Sequence, residues 1–139
     1  MLSRKLEREL PALRLNLDEW HIRLYGQDAE HPEHDVRHSI IEERLWEIGR
    51  RVLELGSDLI LDYGLWAREE RDDYRQRAKQ LGAACRVHYL DVQEDELMRR
   101  LRQRNSRPPI DCFIIREEAM RPWIASFEAP TADELDGKE

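Results

Sequence analysis

Leu13-Arg-Leu-Asn-Leu17 alternates apolar and polar residues with a period of two and runs into Asp18. That is the pattern of a strand with one buried face. Two later stretches end the same way. Leu59-Ile-Leu61 is a continuous apolar run that stops at Asp62, and Cys85-Arg-Val-His-Tyr-Leu90 stops at Asp91. Between the first two, the period changes to that of a helix. Val36, Ile40, Ile41, Leu45, Ile48, Val52 and Leu55 recur at steps of three, four and one, and Gly56 stands where a left-handed cap belongs. A second helix is expected from Ala67 to Leu81, stopped by Gly82, and a third from Glu94 to Arg104, ended by Arg107-Pro-Pro109. Strand and helix alternating three times predict an α/β fold, a parallel sheet with helices on both faces.

The two ends of the chain extend this frame. Leu2, Leu6 and Leu10 repeat every four residues, so a short amphipathic helix begins at once and Pro11 stops it. A last helix is expected from Arg116 to Phe127, kinked or broken at Pro122 because proline removes a backbone donor. Residues 1–128 read as a single domain and 129–139 as a polar tail expected to fray. No internal repeat or low-complexity segment is present.

Composition narrows the classes. The chain has 139 residues, 40% of them hydrophobic and 38% charged, which suits one globular domain with charged helix faces. A net charge of −7 disfavours a general nucleic-acid binder, though not a local basic patch. Cys85 and Cys112 fit neither a disulfide framework nor a zinc spacing, so both read as buried free thiols of a reducing, cytoplasmic protein. No apolar run is long enough for a membrane span, and the N-terminus carries no signal-peptide stretch.

In parallel sheets, ligands bind beyond the carboxyl ends of the strands. The three strands each end in aspartate, so Asp18, Asp62 and Asp91 are expected along one edge. Asp18, opening Asp-Glu-Trp20, could take a proton from a hydroxyl group, or could cap a short helix holding Trp20 and Leu24. Asp62 lies in Leu-Asp-Tyr-Gly-Leu-Trp66, where Gly64 would let backbone approach a ligand; a tight turn with core aromatics is the plainer reading. Arg100 and Arg104 share one helix face and could clamp phosphate oxygens, or could simply be solvated. Arg68, Arg71 and Arg75 open the preceding helix near the Asp62 edge, but Glu69, Glu70, Asp72 and Asp73 can pair with them. His31, His34 and His38 have no matching carboxylate constellation beyond Asp35, and no metal site is expected.

Taken in order, four stretches resemble a known family. Leu-Arg-Leu-Asn-Leu-Asp-Glu-Trp20, Leu-Ile-Leu-Asp-Tyr-Gly-Leu-Trp-Ala-Arg-Glu-Glu-Arg71, Arg-Leu-Arg-Gln-Arg-Asn105 and Phe-Glu-Ala-Pro-Thr-Ala-Asp-Glu134 are similar to the P-loop kinase-like ATP-binding proteins. These are bacterial proteins related to zeta toxins, chloramphenicol phosphotransferase and polynucleotide kinases. The resemblance implies that Asp18 is the hydroxyl-activating carboxylate and that Asp62 faces substrate or magnesium; Arg68 and Arg71, near the Asp62 edge, are the further candidates for binding substrate. It makes Arg100 and Arg104 lid arginines on the ATP phosphates and puts the loop holding Glu128 and Pro130 near the adenine. It implies ATP and magnesium as cofactors and a small molecule or nucleotide as substrate.

The sequence departs from the family in one respect. It contains no Gly-x-x-x-x-Gly-Lys-[Ser/Thr] loop, whose amides cradle phosphate and whose lysine and hydroxyl hold the γ-phosphate and magnesium. Met1-Leu-Ser-Arg-Lys-Leu6 aligns with the helix that follows that loop, so the chain is expected to lack the first, central strand of a three-layer sheet as well as the loop. The final strand is also expected to be missing after Glu139. Three readings follow: a kinase inactive in this truncated form, a non-catalytic pseudokinase remnant or interaction domain, and an unrelated α/β binding module. The substrate and the oligomeric state are not legible in the sequence.

Overall fold

The computed structural model describes residues 2–27, 29–110 and 112–135. It divides into two compact units, Met1–Tyr63 with Pro108–Ile114, and Gly64–Arg107 with Ile115–Glu139.

The first unit holds helix α1 (Leu2–Glu9), strand β1 (Ala12–Asn16), helix α2 (Leu17–Tyr25), helix α3 (His34–Glu54) and strand β2 (Asp58–Asp62). β1 and β2 pair in parallel, with Leu13 opposite Leu59, Leu15 opposite Leu61 and Asn16 opposite Asp62. Because side chains alternate along a strand, Leu13, Leu15, Leu59 and Leu61 share one face. They pack with Leu17, Ile41 and Leu45 into the core, and Leu45 is 1% exposed. Gly49 is buried in α3, and a Cβ there would meet Leu59 Cδ2 at 2.7 Å, so the helix backbone lies directly on the strand. α3 ends as its composition demands: Gly56 takes φ +82°, its N–H bonds Leu53 O, and Ser57 N–H bonds Val52 O.

β1 stops one residue earlier than the alternation suggests. Asn16 is the cap of α2, its side chain accepting from Glu19 N–H at 3.0 Å, and Leu17 turns inward from the first helical turn. The alternation therefore spans a strand and a helix start. A buried Leu fits either, and the cap decides between them.

The second unit is helical among its described residues: α4 (Arg68–Gln80), α5 (Glu94–Ser106), α6 (Glu117–Ser126) and α7 (Ala132–Leu135). The strand expected at 85–90 does not form. Exposure alternates residue by residue there, as on a half-buried strand, but among the described residues the segment has no ladder partner and the sheet has two strands, not three. Alternation records which side chains face inward; a strand additionally needs a neighbour to receive its backbone donors and acceptors. α6 continues through Pro122, so of the kink or break expected there the helix shows no break. Nor does the tail fray as far as Leu135, because Glu134 is 4% exposed and anchored by arginines of α4. No helix is long and apolar enough to cross a membrane among the described residues.

Candidate functional site

The parallel register brings Asp62 and Asn16 side by side at the carboxyl ends of β2 and β1. Asp62 Oδ2 accepts three hydrogen bonds, from Ser3 Oγ at 2.7 Å, Arg14 Nη2 at 2.9 Å and Asn16 Nδ2 at 3.2 Å. Arg14 is the hub of this network. Its side chain is 6% exposed, and it also bonds Glu19 Oε1 at 3.0 Å and Ser3 Oγ at 2.9 Å. Burial by itself would lower the Arg14 pKa; the hydrogen bonds and charges of Glu19 and Asp62 outweigh it and hold the guanidinium above its ordinary value. Sequence reasoning passed over Arg14. Its signal was a cation inside a strand on the face opposite the leucines, where only a paired charge is tolerated.

Asp18 lies in the first turn of α2, two residues past the strand end, and its carboxylate is half exposed. Oδ1 stands 3.8 Å from His38 Nε2. Asp18 and Asp62 thus belong to one sheet edge, whereas Asp91 ends no strand and lies in the second unit. The expected row of three carboxylates is a pair, because the third depended on a strand that is not there.

The arginines of α4 are engaged with acids of the second unit. Arg71 is 3% exposed, and its Nε donates to Glu134 Oε1 at 2.9 Å while Nη1 donates to Leu65 O at 3.0 Å. Arg75 donates to the same Glu134 oxygen and to Asp72. Arg68 bonds Thr131 Oγ1 at 2.8 Å and Asp133 Oδ2 at 2.7 Å. The Arg71 hydrogen bond, with those from Thr131 N–H and Arg75, brings the Glu134 carboxyl down to about 2 against the opposing effect of burial. Glu128 N–H donates to Trp66 O at 2.9 Å, and Phe127 meets Trp66 edge to face with ring centroids 5.2 Å apart; Pro130 is half-buried in the same segment. On α5, Arg100 is exposed and donates to Glu96 Oε1 at 2.9 Å, while Arg104, one turn on, is half-buried.

A third cluster was not anticipated. His21 of α2 and His34 and His38 of α3 stack together, and one ring nitrogen from each lies within 4.8 Å of the others. The sequence suggested His31 in place of His21, since spacing along the chain cannot show which helix packs against which. His21 is buried and its pKa falls to about 4, first through burial and then through His34, His38 and Arg37. Burial also lowers the His38 pKa, against the opposing pull of Asp18.

The two parallel strands thus gather charged groups at their carboxyl ends, the edge at which α/β sheets in general bind ligands. The family described as an AAA domain matches residues 1–130. The chain belongs to that family, a P-loop NTPase or kinase-like group of nucleotide-binding character in general. No curated protein matches the chain.

The family implies a nucleotide and magnesium. Their phosphates need a cradle of backbone amides with a lysine and a hydroxyl, and no loop of that sequence is present. Lys5 reaches Glu9 at 3.9 Å, Arg71 is committed to Glu134, and three donors crowd Asp62 Oδ2. The residues present do not fit the phosphates of ATP.

Proposed function

We propose that this chain is a kinase-like domain carrying the acceptor side of a phosphotransfer to a hydroxyl group of a small molecule or nucleotide, and that the 139 residues do not themselves turn over ATP. The family match over residues 1–130 is the observation that carries the reading. The parallel register supports it, because it sets Asp62 beside Asn16 and Asp18 just past the same strand end. In this reading Asp18 is the base. Its half-exposed carboxylate takes the proton of the substrate hydroxyl, as general bases do in phosphoryl transfer. Asp62 holds Arg14 and Ser3 in place and lines the substrate edge. Arg68 and Arg71 are assigned to substrate by their place at the start of the helix after Asp62, and Arg100, Arg104, Glu128 and Pro130 to the nucleotide by resemblance.

A second reading has its own support. Arg71 and Asp62 both spend their charge inside the protein, as expected of a scaffold kept without catalysis.

Grafting a strand and a Gly-x-x-x-x-Gly-Lys-Thr loop ahead of Leu2 separates the two. The grafted protein is expected to gain MgATP binding and transfer of the γ-phosphate to an acceptor. Asp18→Ala in that protein should then lower turnover by about 10²–10⁴-fold, the usual contribution of a general base, with ATP affinity unchanged. Equal losses in turnover and ATP affinity would remove Asp18 as the base. ATP turnover by the ungrafted chain would overturn the proposal, and a folded graft that binds no nucleotide would favour the scaffold reading.

A further inference from the structure

The histidine cluster of the first unit is used by none of these roles. His34 and His38 stand one helical turn apart at the start of α3, and α2 brings His21 against them. The rings of His21 and His34 stack with centroids 4.4 Å apart, and those of His34 and His38 with centroids 5.3 Å apart. Phe113 seals the cluster, meeting His21 at 5.2 Å and His34 at 5.1 Å, both edge to face.

We propose that His21, His34 and His38 form a binding site for one zinc ion, with a ring nitrogen from each as ligand. Two independent features point to a ligand. His21 Nδ1 and His38 Nδ1 lie 2.9 Å apart, so as a hydrogen bond they share a single proton between two basic nitrogens. His34 Nδ1 is buried with no hydrogen-bond partner among the described residues, which is unfavourable unless something binds it. One cation relieves both. It accepts three lone pairs in place of one shared proton and one orphan.

The donor set selects the ion. Three neutral imidazoles suit zinc, which takes nitrogen at about 2.0–2.1 Å in a tetrahedron and leaves a fourth position open. Tetrahedral ligation at that distance separates neighbouring nitrogens by about 3.4 Å, so the 2.9 Å contact opens slightly on binding. Asp18 Oδ1, 3.8 Å from His38 Nε2, is placed to steady that ring from outside the ligand shell. The site is independent of the nucleotide reading, and either stands if the other fails.

The test uses the full 139-residue protein, stripped with a chelator and titrated with Zn²⁺ against a chromophoric competitor, then with Co²⁺. One equivalent of each metal should bind, cobalt should give the visible absorption of a tetrahedral site, and zinc should raise the melting temperature. His34→Gln and His38→Gln should each lose the cobalt band and the zinc-dependent rise in melting temperature, whereas His88→Gln in the second unit should keep both. Circular dichroism confirms that the variants fold; if His34→Gln does not, His38→Gln decides alone, its side chain being only partly buried. No stoichiometric binding by the wild-type protein, or wild-type binding by a folded His38→Gln, would overturn the site and leave a histidine cluster held by hydrogen bonding and stacking.

Discussion

The two units are stabilised by different physics. The first is organised by a backbone ladder: two parallel strands present four leucines to α3, and Leu15, Leu17, Ile41 and Leu45 close the core. The second has no ladder among its described residues, and two of its buried side chains are the opposite charges of Arg71 and Glu134. Apolar burial tolerates small errors of shape. A buried ion pair does not tolerate loss of one partner, because the other remains desolvated and uncompensated. The second unit should therefore be the more fragile, and in particular the more sensitive to acid.

Several measurements can break or sharpen this contrast. The largest effect is expected at Glu134, where Glu134→Ala strands Arg71 and should cost about 3–5 kcal/mol. Hydrogen exchange should register the loss in the amides of α4. Leu45→Ala, in the core of the first unit, should cost about 2–5 kcal/mol, read as lost protection in α3 and β1. If Leu45→Ala exposes α4 more than Glu134→Ala does, the contrast fails. A smaller loss, about 0.5–2 kcal/mol, is expected for Asn16→Ala, which removes the cap of α2 and one donor to Asp62.

Acid distinguishes the units again. The Glu134 carboxyl falls from an ordinary 4.5 to about 2 in the folded protein, so the unfolded chain takes up its proton first. The stability it contributes is complete above pH 4.5 and is lost as pH falls toward 2. Amide exchange in α4 should accelerate across that window in the wild type and lose that component in Glu134→Gln. The smallest effect is expected at Arg44, whose side chain and that of its partner Glu47 are both mostly exposed; Arg44→Ala should leave the melting temperature of either unit unchanged.

Particular residues show how far the sequence could be read. The helix ends at Gly56 and Gly82 were legible because a left-handed cap has few substitutes for glycine, and both take positive φ. The strands at 12–16 and 58–62 were legible from their leucines. At 85–90 the same logic went too far, since the alternation is real and the partner is missing. The role of Glu134 was hidden for a different reason. It stands in a polar tail, and only contact with an arginine 63 residues away makes it core.

By itself, then, the sequence determined the mixed α/β character, the main helices and the two paired strands, and the family in general, because these follow from local pattern and from order along the chain. Tertiary structure alone decided which groups meet: Arg14 with Asp62, Arg71 with Glu134, and His21 rather than His31 with His34 and His38. The reason is physical. Whether a charge is paired or orphaned, and whether a ring nitrogen faces water or two other histidines, depends on elements distant in sequence, and no periodicity along one segment carries that information.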